Sequence, residues 1–321
     1  MKPAPALAGG GTALPAWPDA WYVVGPSCEL ARGQVMEGEI AHRQFVLFRD
    51  EAGGIAALDA HCPHMGTHLR SARVVGERLR CALHHWMIGS DGMLEGPPGC
   101  DEYRSRVWPA LKRFGLMFLW AGDAAPPAPP SFGSPEGYIW KTATPVALKS
   151  DWRAVAVSGF DTQHLPAVHQ RALVKPPHLS RLAAGGVRMA YQTRVIPGGG
   201  WSSWLTQRLA GGNLQIVQIC HGPTILVESR VGRFVSRAVF GFLPSGSATH
   251  AYAAFGTPAA GPLPRLRLWL TALLFSAFLR KDFAVVEDMQ LIVDGPTDPG
   301  VLGISEYLRS LPELEGARRA R

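Results

Sequence analysis

Short apolar runs broken by turn-forming residues dominate the first third of the chain. Trp21-Tyr22-Val23-Val24, Phe45-Val46-Leu47-Phe48 and Ile55-Ala56-Ala57-Leu58 are too short for helices, so they predict strands. Asp50-Glu51-Ala52-Gly53-Gly54 and Ser90-Asp91-Gly92 predict turns between them. The stretch from Arg113 to Trp120 (RFGLMFLW) predicts a buried strand. Residues 124–135 (AAPPAPPSFGSP) predict a linker, because clustered prolines continue neither a helix nor a central strand. After Lys149 the pattern changes. Asp151 to His169 is helical in tendency, and about five strand-like segments follow between Arg188 and Thr257, separated by Gly-Gly and Pro-Ser-Gly turns. A helical part runs from about Leu266 to Val293, with a short helix near Ile304 to Leu311. The expectation is an α+β protein: a flexible arm over 1–18, a small all-β domain over 19–125, a Pro-rich linker over 126–137, and an antiparallel sheet with helices against it over 138–321.

Composition narrows the class. Of 321 residues, 47% are hydrophobic and 18% charged, which describes a globular chain with room for two domains. The 27 prolines and 36 glycines agree with many turns. The net charge of +7 suits a solvated surface and would also favour docking of an acidic electron donor. No interleaved basic and aromatic motif for nucleic acid is present. Five cysteines, at 28, 62, 81, 100 and 220, make no disulfide framework if two of them hold a metal centre. The N-terminal MKPAPALAGGGTALPAWP lacks a continuous apolar core and reads as an arm, not a signal peptide, so a cytoplasmic protein is expected. The apolar run from Leu268 to Leu279 is too short to span a bilayer. Flanked by Arg265, Arg267, Arg280 and Lys281, it reads as a buried helix, a pocket wall or a weak membrane-surface contact.

Two short pairs carry the chemistry of the first domain. Cys62-Pro63-His64 and Cys81-Ala82-Leu83-His84 read C-x-H and C-x-x-H, each just after a strand-like run. Two thiolates and two imidazoles suit a [2Fe–2S] cluster with Cys on one iron and His on the other. Replacing thiolates by neutral imidazoles removes negative charge, so such a cluster accepts an electron more readily than an all-Cys one. The neighbouring His61 and His85 read as residues around the cluster, not ligands. The same donors could also close a tetrahedral zinc site, which would leave the protein colourless where a cluster makes it brown.

A second constellation follows. Asp161-Thr162-Gln163-His164-Leu165-Pro166-Ala167-Val168-His169 reads D-x2-H-x4-H. Two His and a later carboxylate form the facial set of non-haem Fe(II) oxygenases, which leaves positions open for O2 and water. Asp161 and His164 share a helix face. His164 and His169, five apart, would diverge on a regular helix, and Pro166 between them can underwind the turn. The carboxylate should come from another element. Asp288, in the apolar stretch FAVVEDMQLIV, is the choice, and Glu287, Asp282 and Asp294 are the alternatives.

The order of these motifs, from about residue 20 to 295, resembles the catalytic α subunit of Rieske non-haem iron oxygenases, most of all the compact ketosteroid hydroxylases and O-demethylases. The resemblance implies a Rieske domain joined to a helix-grip (START-like) catalytic domain in a homotrimer. One subunit's cluster then feeds the next subunit's iron. Asp161 would join the two centres, bonding His164 and, across the interface, His84; metal-bound imidazoles usually donate their other N–H to a carboxylate. A ferredoxin or flavin reductase would bring the electrons from NAD(P)H. The chain departs from the family pattern at Ala82 and His85, where Pro and Gly are common, and at Val157 and Ser158, where Glu-Asn is common.

The expected function is that of a terminal oxygenase, monooxygenase or dioxygenase, using O2 to hydroxylate or demethylate a large apolar substrate such as a steroid, terpenoid or polycyclic aromatic. The segments WLTALLFSAF and AVFGFL are candidate pocket walls. Small aromatic acids are the alternative substrates, with Arg153, Arg194 or Arg208 as anchors. A pure electron carrier would leave the second domain unexplained.

Overall fold

A computed structural model describes residues 13–314 except 101, 134–136, 184, 197–203, 205–206, 209–212, 233, 247 and 293–297. The first part is all-β. Its strands are β1 (Trp21–Pro26), β2 (Val35–Ile40), β3 (Arg43–Arg49), β4 (Ile55–Asp59), β5 (Arg73–Val75), β6 (Arg78–Arg80), β7 (Met87–Ile88), β8 (Leu94–Glu95), β9 (Val107–Trp108), β10 (Ala110–Arg113) and β11 (Leu116–Trp120). They form three antiparallel sheets, in the orders β1-β11-β10, β2-β3-β4-β9 and β5-β6-β7-β8. The predicted strand from Arg113 to Trp120 is the end of a hairpin, turned at Phe114-Gly115 between β10 and β11.

The second part is built on one large antiparallel sheet. It contains β12 (Tyr138–Thr142), β13 (Val146–Leu148), β14 (Arg171–Arg181), β15 (Val187–Val195), β16 (Asn213–His221), β17 (Thr224–Val231), β18 (Phe234–Ser245) and β19 (Ala248–Pro258). Their order is β12-β19-β18-β17-β16-β15-β14, with β13 also on β19. Helices α1 (Trp152–Ser158), α2 (Leu165–His169), α3 (Pro264–Val286) and α4 (Pro299–Arg309) accompany it among the described residues. Strand β15 alternates buried and less buried residues, so Val187, Met189, Tyr191 and Thr193 share one face. The helix α3 crosses β19 and β12 and touches α1 and α2, and the main core lies between sheet and helices.

The two parts share a core. Trp21, Val23, Leu116, Phe118 and Trp120 pack on Ile219, Leu226, Val239 and Ala254 of the large sheet. This explains why β1 is buried along its whole length instead of alternating. The approach is close enough to require glycine: a Cβ at Gly241 of β18 would stand 2.3 Å from the Val23 side chain. The Pro-rich segment is pinned at the seam, because Trp21 Nε1 donates to the Pro127 carbonyl at 3.0 Å and Trp120 Nε1 to Ala124 at 2.9 Å.

Two expectations are corrected here. The arm over 1–18 is docked where it is described. Leu14 is buried, Trp152 Nε1 donates to the Ala16 carbonyl at 2.8 Å, and Pro18 bridges Glu313 near the C-terminus. Composition alone suggested flexibility, because the contacts that hold this segment lie more than a hundred residues away. The long helix ends at Val286, not near Val293. Ser150 donates to the Val286 carbonyl, and the Asp288 N–H donates to Lys149 O at 3.1 Å, so the segment before α1 takes up the helix's last polar groups. Among the described residues, no helix is long and apolar enough to cross a membrane.

Candidate active site

The first ligand pair lies in the loop after β4, the second in the loop between β6 and β7. Both loops have one backbone design. The N–H of Gly66 donates back to Cys62 O at 2.9 Å, and that of His85 to Cys81 O at 3.0 Å. The cysteine N–H groups bond across their loops, Cys62 to Thr67 O at 2.8 Å and Cys81 to Trp86 O at 2.9 Å. Each turn closes on a residue of positive φ, +76° at Gly66 and +60° at His85. The glycine common at the second position in the family is thus a backbone requirement, which His85 meets as one of the residues that tolerate the left-handed region.

These loops bring the four donors together. Cys62 and Cys81 are both buried. Burial pushes the Cys62 thiol up, N–H groups of His64 and Met65 hold it down, and the neighbouring Cys81 pushes it up again. His64 and His84 stand with ring centroids 4.8 Å apart, and His64 stacks on Trp86 at 4.0 Å. Two adjacent buried thiols beside two imidazoles, with amide N–H groups on sulfur, fit a cluster ligated by two Cys and two His. His84 is exposed and Leu83 beside it is 53% exposed, so this end of the site faces outward. His61 is exposed and pairs with His68 at 4.9 Å instead of joining the four.

The second constellation assembles from three elements. Asp161 lies in the turn after α1, where its Oδ1 accepts the Gln163 N–H at 2.7 Å and its Oδ2 lies 3.9 Å from His164 Nδ1. His164 precedes α2 and His169 ends it, followed by Gln170 at φ +54°. Pro166 sits in the first turn of this helix, where the missing N–H costs nothing, so it does not underwind the turn as expected. The imidazoles flank the short helix and meet Asp282 of α3, whose Oδ1 is 2.5 Å from His169 Nε2 and 3.7 Å from His164 Nε2. Donor atoms of all three lie within 4.8 Å of one another. Phe278, one turn before Asp282, stacks on His169 at 3.5 Å with an interplanar angle of 5°. Burial lowers the His169 pKa and Asp282 raises it in opposition, so the ring is a neutral donor at pH 7. Two imidazoles and one carboxylate on one side fit a divalent iron.

His164 and Asp282 line a cavity of about 350 Å³ between the sheet and α3. Leu270, Leu274, Phe275, Phe278, Phe240 and Phe242 give it apolar walls, so both predicted wall segments contribute. Arg171, Tyr191, Thr193 and Gln218 form a polar group on the β14–β16 side of it, and Ser229, Ser236, Thr257 and Arg267 line it elsewhere.

The profile of the Rieske [2Fe-2S] domain matches residues 20–114. The oxygenase component of 3-ketosteroid-9-alpha-monooxygenase from Mycolicibacterium smegmatis is 28% identical over 149 residues, which is 45% of this chain and 38% of the relative. Cholesterol 7-desaturase nvd of Bombyx mori is 26% identical over 178 residues, 50% of this chain and 37% of the relative. The chain thus aligns with less than half the length of these curated relatives. The fold matches dicamba monooxygenase bound to dicamba with a TM-score of 0.69 at 19% identity, covering 96% of this chain and 100% of that one. It also matches the complex between oxygenase and ferredoxin in carbazole 1,9a-dioxygenase, with a TM-score of 0.65 at 17% identity and 91% and 88% coverage. Residues 20–114 are thus a Rieske [2Fe-2S] domain, and the chain as a whole has the fold of these solved oxygenases.

Against that family pattern, the carboxylate chosen from sequence is corrected. Asp288 is exposed, lies beyond the end of α3 at φ +56°, and points its N–H at Lys149. Glu287 is likewise exposed at the helix end, and Asp294 lies outside the described residues. Asp282 was legible as an alternative, and the signal that favoured it is its i, i+4 spacing from Phe278 on the face toward α2. The proposed anchors also fail. Arg153 is held by Asp151 and the Leu14 carbonyl, and Arg194 and Arg208 are exposed and do not line the cavity. Arg171, two residues after His169, and Arg267 of α3 are arginines that do.

Proposed function

We propose that this chain is the terminal oxygenase component of an electron-transfer system, with the cluster held by residues 19–125 and the iron by 138–321. The observation that carries the reading is the coexistence of two donor sets, one opening outward and one bordering a largely apolar cavity. Cys62, Cys81, His64 and His84 would hold the [2Fe–2S] cluster, and His164, His169 and Asp282 the mononuclear iron. When bound, the cluster relays single electrons and the iron activates O2. The residues do the rest. The cysteines sit in apolar packing that keeps water from the sulfurs. Asp282 would supply the anionic donor beside two imidazoles. The apolar walls exclude water and orient a substrate alongside His164 and Asp282.

The overall change is insertion of oxygen from O2 into a C–H bond, one atom in a monooxygenation, with two electrons and two protons taking the other atom to water. NAD(P)H would supply the electrons through a flavin reductase, a ferredoxin or both. The exposed His84 and Leu83 are the surface through which a ferredoxin, or a neighbouring subunit of a homotrimer, would reach the cluster. Asp161, beside His164, would carry the coupling to a neighbour's His84. Steroid, terpenoid or polycyclic substrates suit the cavity, and the relatives' names for steroid and cholesterol enzymes agree. The exposed Cys28 and the absence of disulfides among the described cysteines suit a cytoplasmic setting. Exposed Leu266 and Trp269 on α3 suit a weak membrane-surface contact.

Iron-reconstituted protein should be brown, give a reduced-state paramagnetic signal, and hold a second, chelatable iron. A single turnover of reduced protein with O2 and a polycyclic panel should give one oxygenated product. Asp161→Asn should keep both iron pools and slow electron transfer between them. A colourless protein, or one with the cluster alone, would refute the oxygenase reading.

A further inference from the structure

The polar side of the cavity has no task in the metal chemistry. Arg171, at the start of β14, lines the cavity. Among the described residues it makes no ion pair or hydrogen bond, and only the Phe278 ring covers it, 5.4 Å from Cζ. Tyr191 and Thr193 stand two apart on β15, so they share a face, and Thr193 lies opposite Leu173 of β14. Gln218 on β16 is diagonal to Tyr191 across the register Tyr191↔Ile216 and Met189↔Gln218. Its Nε2 donates to the Tyr191 hydroxyl at 2.9 Å. That bond fills a lone pair of the phenol oxygen and leaves the O–H free to donate. Burial pushes the Tyr191 pKa up, so the hydroxyl keeps its proton. Thr193 Oγ1 and Gln218 Oε1 are buried without a partner, and Thr193 is 1% exposed.

Arg171 is half-buried, and a guanidinium that faces an apolar cavity without a protein acceptor is poorly satisfied, where polar groups are normally paired. The protein's other cavity-lining cation shows the ordinary solution: Arg267 Nη2 donates to the carbonyls of Pro258 at 2.8 Å and Ala260 at 2.5 Å. Arg171 has no such carbonyl. Nor does a carboxylate answer it, since Asp282 is turned to His169. The group that would satisfy Arg171 and the Tyr191 O–H together is an oxygen acceptor entering the cavity.

We propose that Arg171 and Tyr191 anchor an oxygen acceptor of the substrate, a carboxylate or a ring ketone, while the substrate's apolar body packs on α3. This rests on the oxygenase reading and narrows it: the substrate is a ring system polar at one end, not a plain hydrocarbon. The anchor also places the oxygen-bearing end near the metal set, because the Phe278 ring stacks on His169 and also carries the Arg171 guanidinium, 5.4 Å from its centroid.

The test measures dissociation constants of 2-naphthoate, 2-acetonaphthone and 2-methylnaphthalene, one skeleton with an anion, a ketone and neither. In the holoenzyme, at least one oxygen-bearing probe should bind roughly tenfold to a hundredfold more tightly than the hydrocarbon. The preferred arm states whether the acceptor is charged. Arg171→Met should erase the preference, Arg171→Lys should keep part of it, and Tyr191→Phe should reduce it. The cluster's visible spectrum and the melting temperature report that each variant is folded. Equal or absent binding of the three probes, or a preference that survives Arg171→Met, overturns the proposal. A preference without any oxidised product keeps the anchor and sinks the oxygenase reading. Turnover without a preference does the reverse.

Discussion

Asp282→Ala should strip the mononuclear iron and abolish turnover while leaving the cluster's colour and reduced-state signal intact. The carboxylate is the only anionic member of the donor group, with Oδ1 at 2.5 Å and 3.7 Å from the two imidazoles. Without it two imidazole nitrogens alone would face a dication in an apolar cavity. Losing a group that merely orients a ligand costs roughly 10- to 100-fold in metal affinity, so losing a ligand should cost more. The imidazoles themselves remain available. Burial already lowers the His169 pKa, and removing Asp282 removes the carboxylate that raises it, so the ring stays neutral at pH 7. The loss therefore reports the carboxylate and not a protonated histidine. Iron content after mild chelation, measured beside the visible spectrum, checks this. Asp288→Ala and Glu287→Ala are the controls and should keep both iron pools. If Asp288→Ala loses the iron while Asp282→Ala retains it, the assignment is reversed.

Asp298→Ala should cause a large loss of stability. This carboxylate is 4% exposed and holds two elements at once. Its Oδ1 caps α4, accepting from the Gly300 N–H at 2.6 Å and the Val301 N–H at 3.3 Å. Its Oδ2 accepts from the Thr162 N–H at 3.1 Å and from the Thr162 hydroxyl. Removing it leaves buried donors unmatched on both sides, at a cost of about 3 kcal/mol or more. Thr162 stands between Asp161 and His164, so the loss should also loosen the turn that presents His164. A lower melting temperature together with weaker iron retention is the expected pair of outcomes. Asp298→Asn keeps an acceptor and should recover part of both. An unchanged melting temperature would show that the four contacts add nothing over water.

The two sites were legible to different degrees, and the difference is one of distance along the chain. Cys62 and His64, and Cys81 and His84, are local pairs, each in one tight loop. Spacing alone puts such donors side by side, and the matched turns at Gly66 and His85 do the rest. His164 and His169 are almost as local, flanking one short helix. The third carboxylate is not. It comes from α3, more than a hundred residues later, where four acids lie within thirteen residues and sequence offers no depth gauge. The stretch around Asp288 looked like continuing helix because its composition is apolar. The helix ends sooner because Ser150 and Lys149 capture its last groups, a contact with no sequence signature.

The sequence by itself pointed to the class of chemistry proposed, the candidate cluster donors and two of the three candidate iron donors, and it determined a β domain followed by a sheet-and-helix domain. These follow from short-range rules: ligand spacing, turn residues and apolar runs. Tertiary structure alone decided that Asp282 is the carboxylate beside the imidazoles, that residues 13–18 are docked, and that Arg171 faces the cavity while Arg153 does not. Each of those depends on which face of an element meets which distant neighbour. Packing sets that orientation, and chain spacing does not encode it.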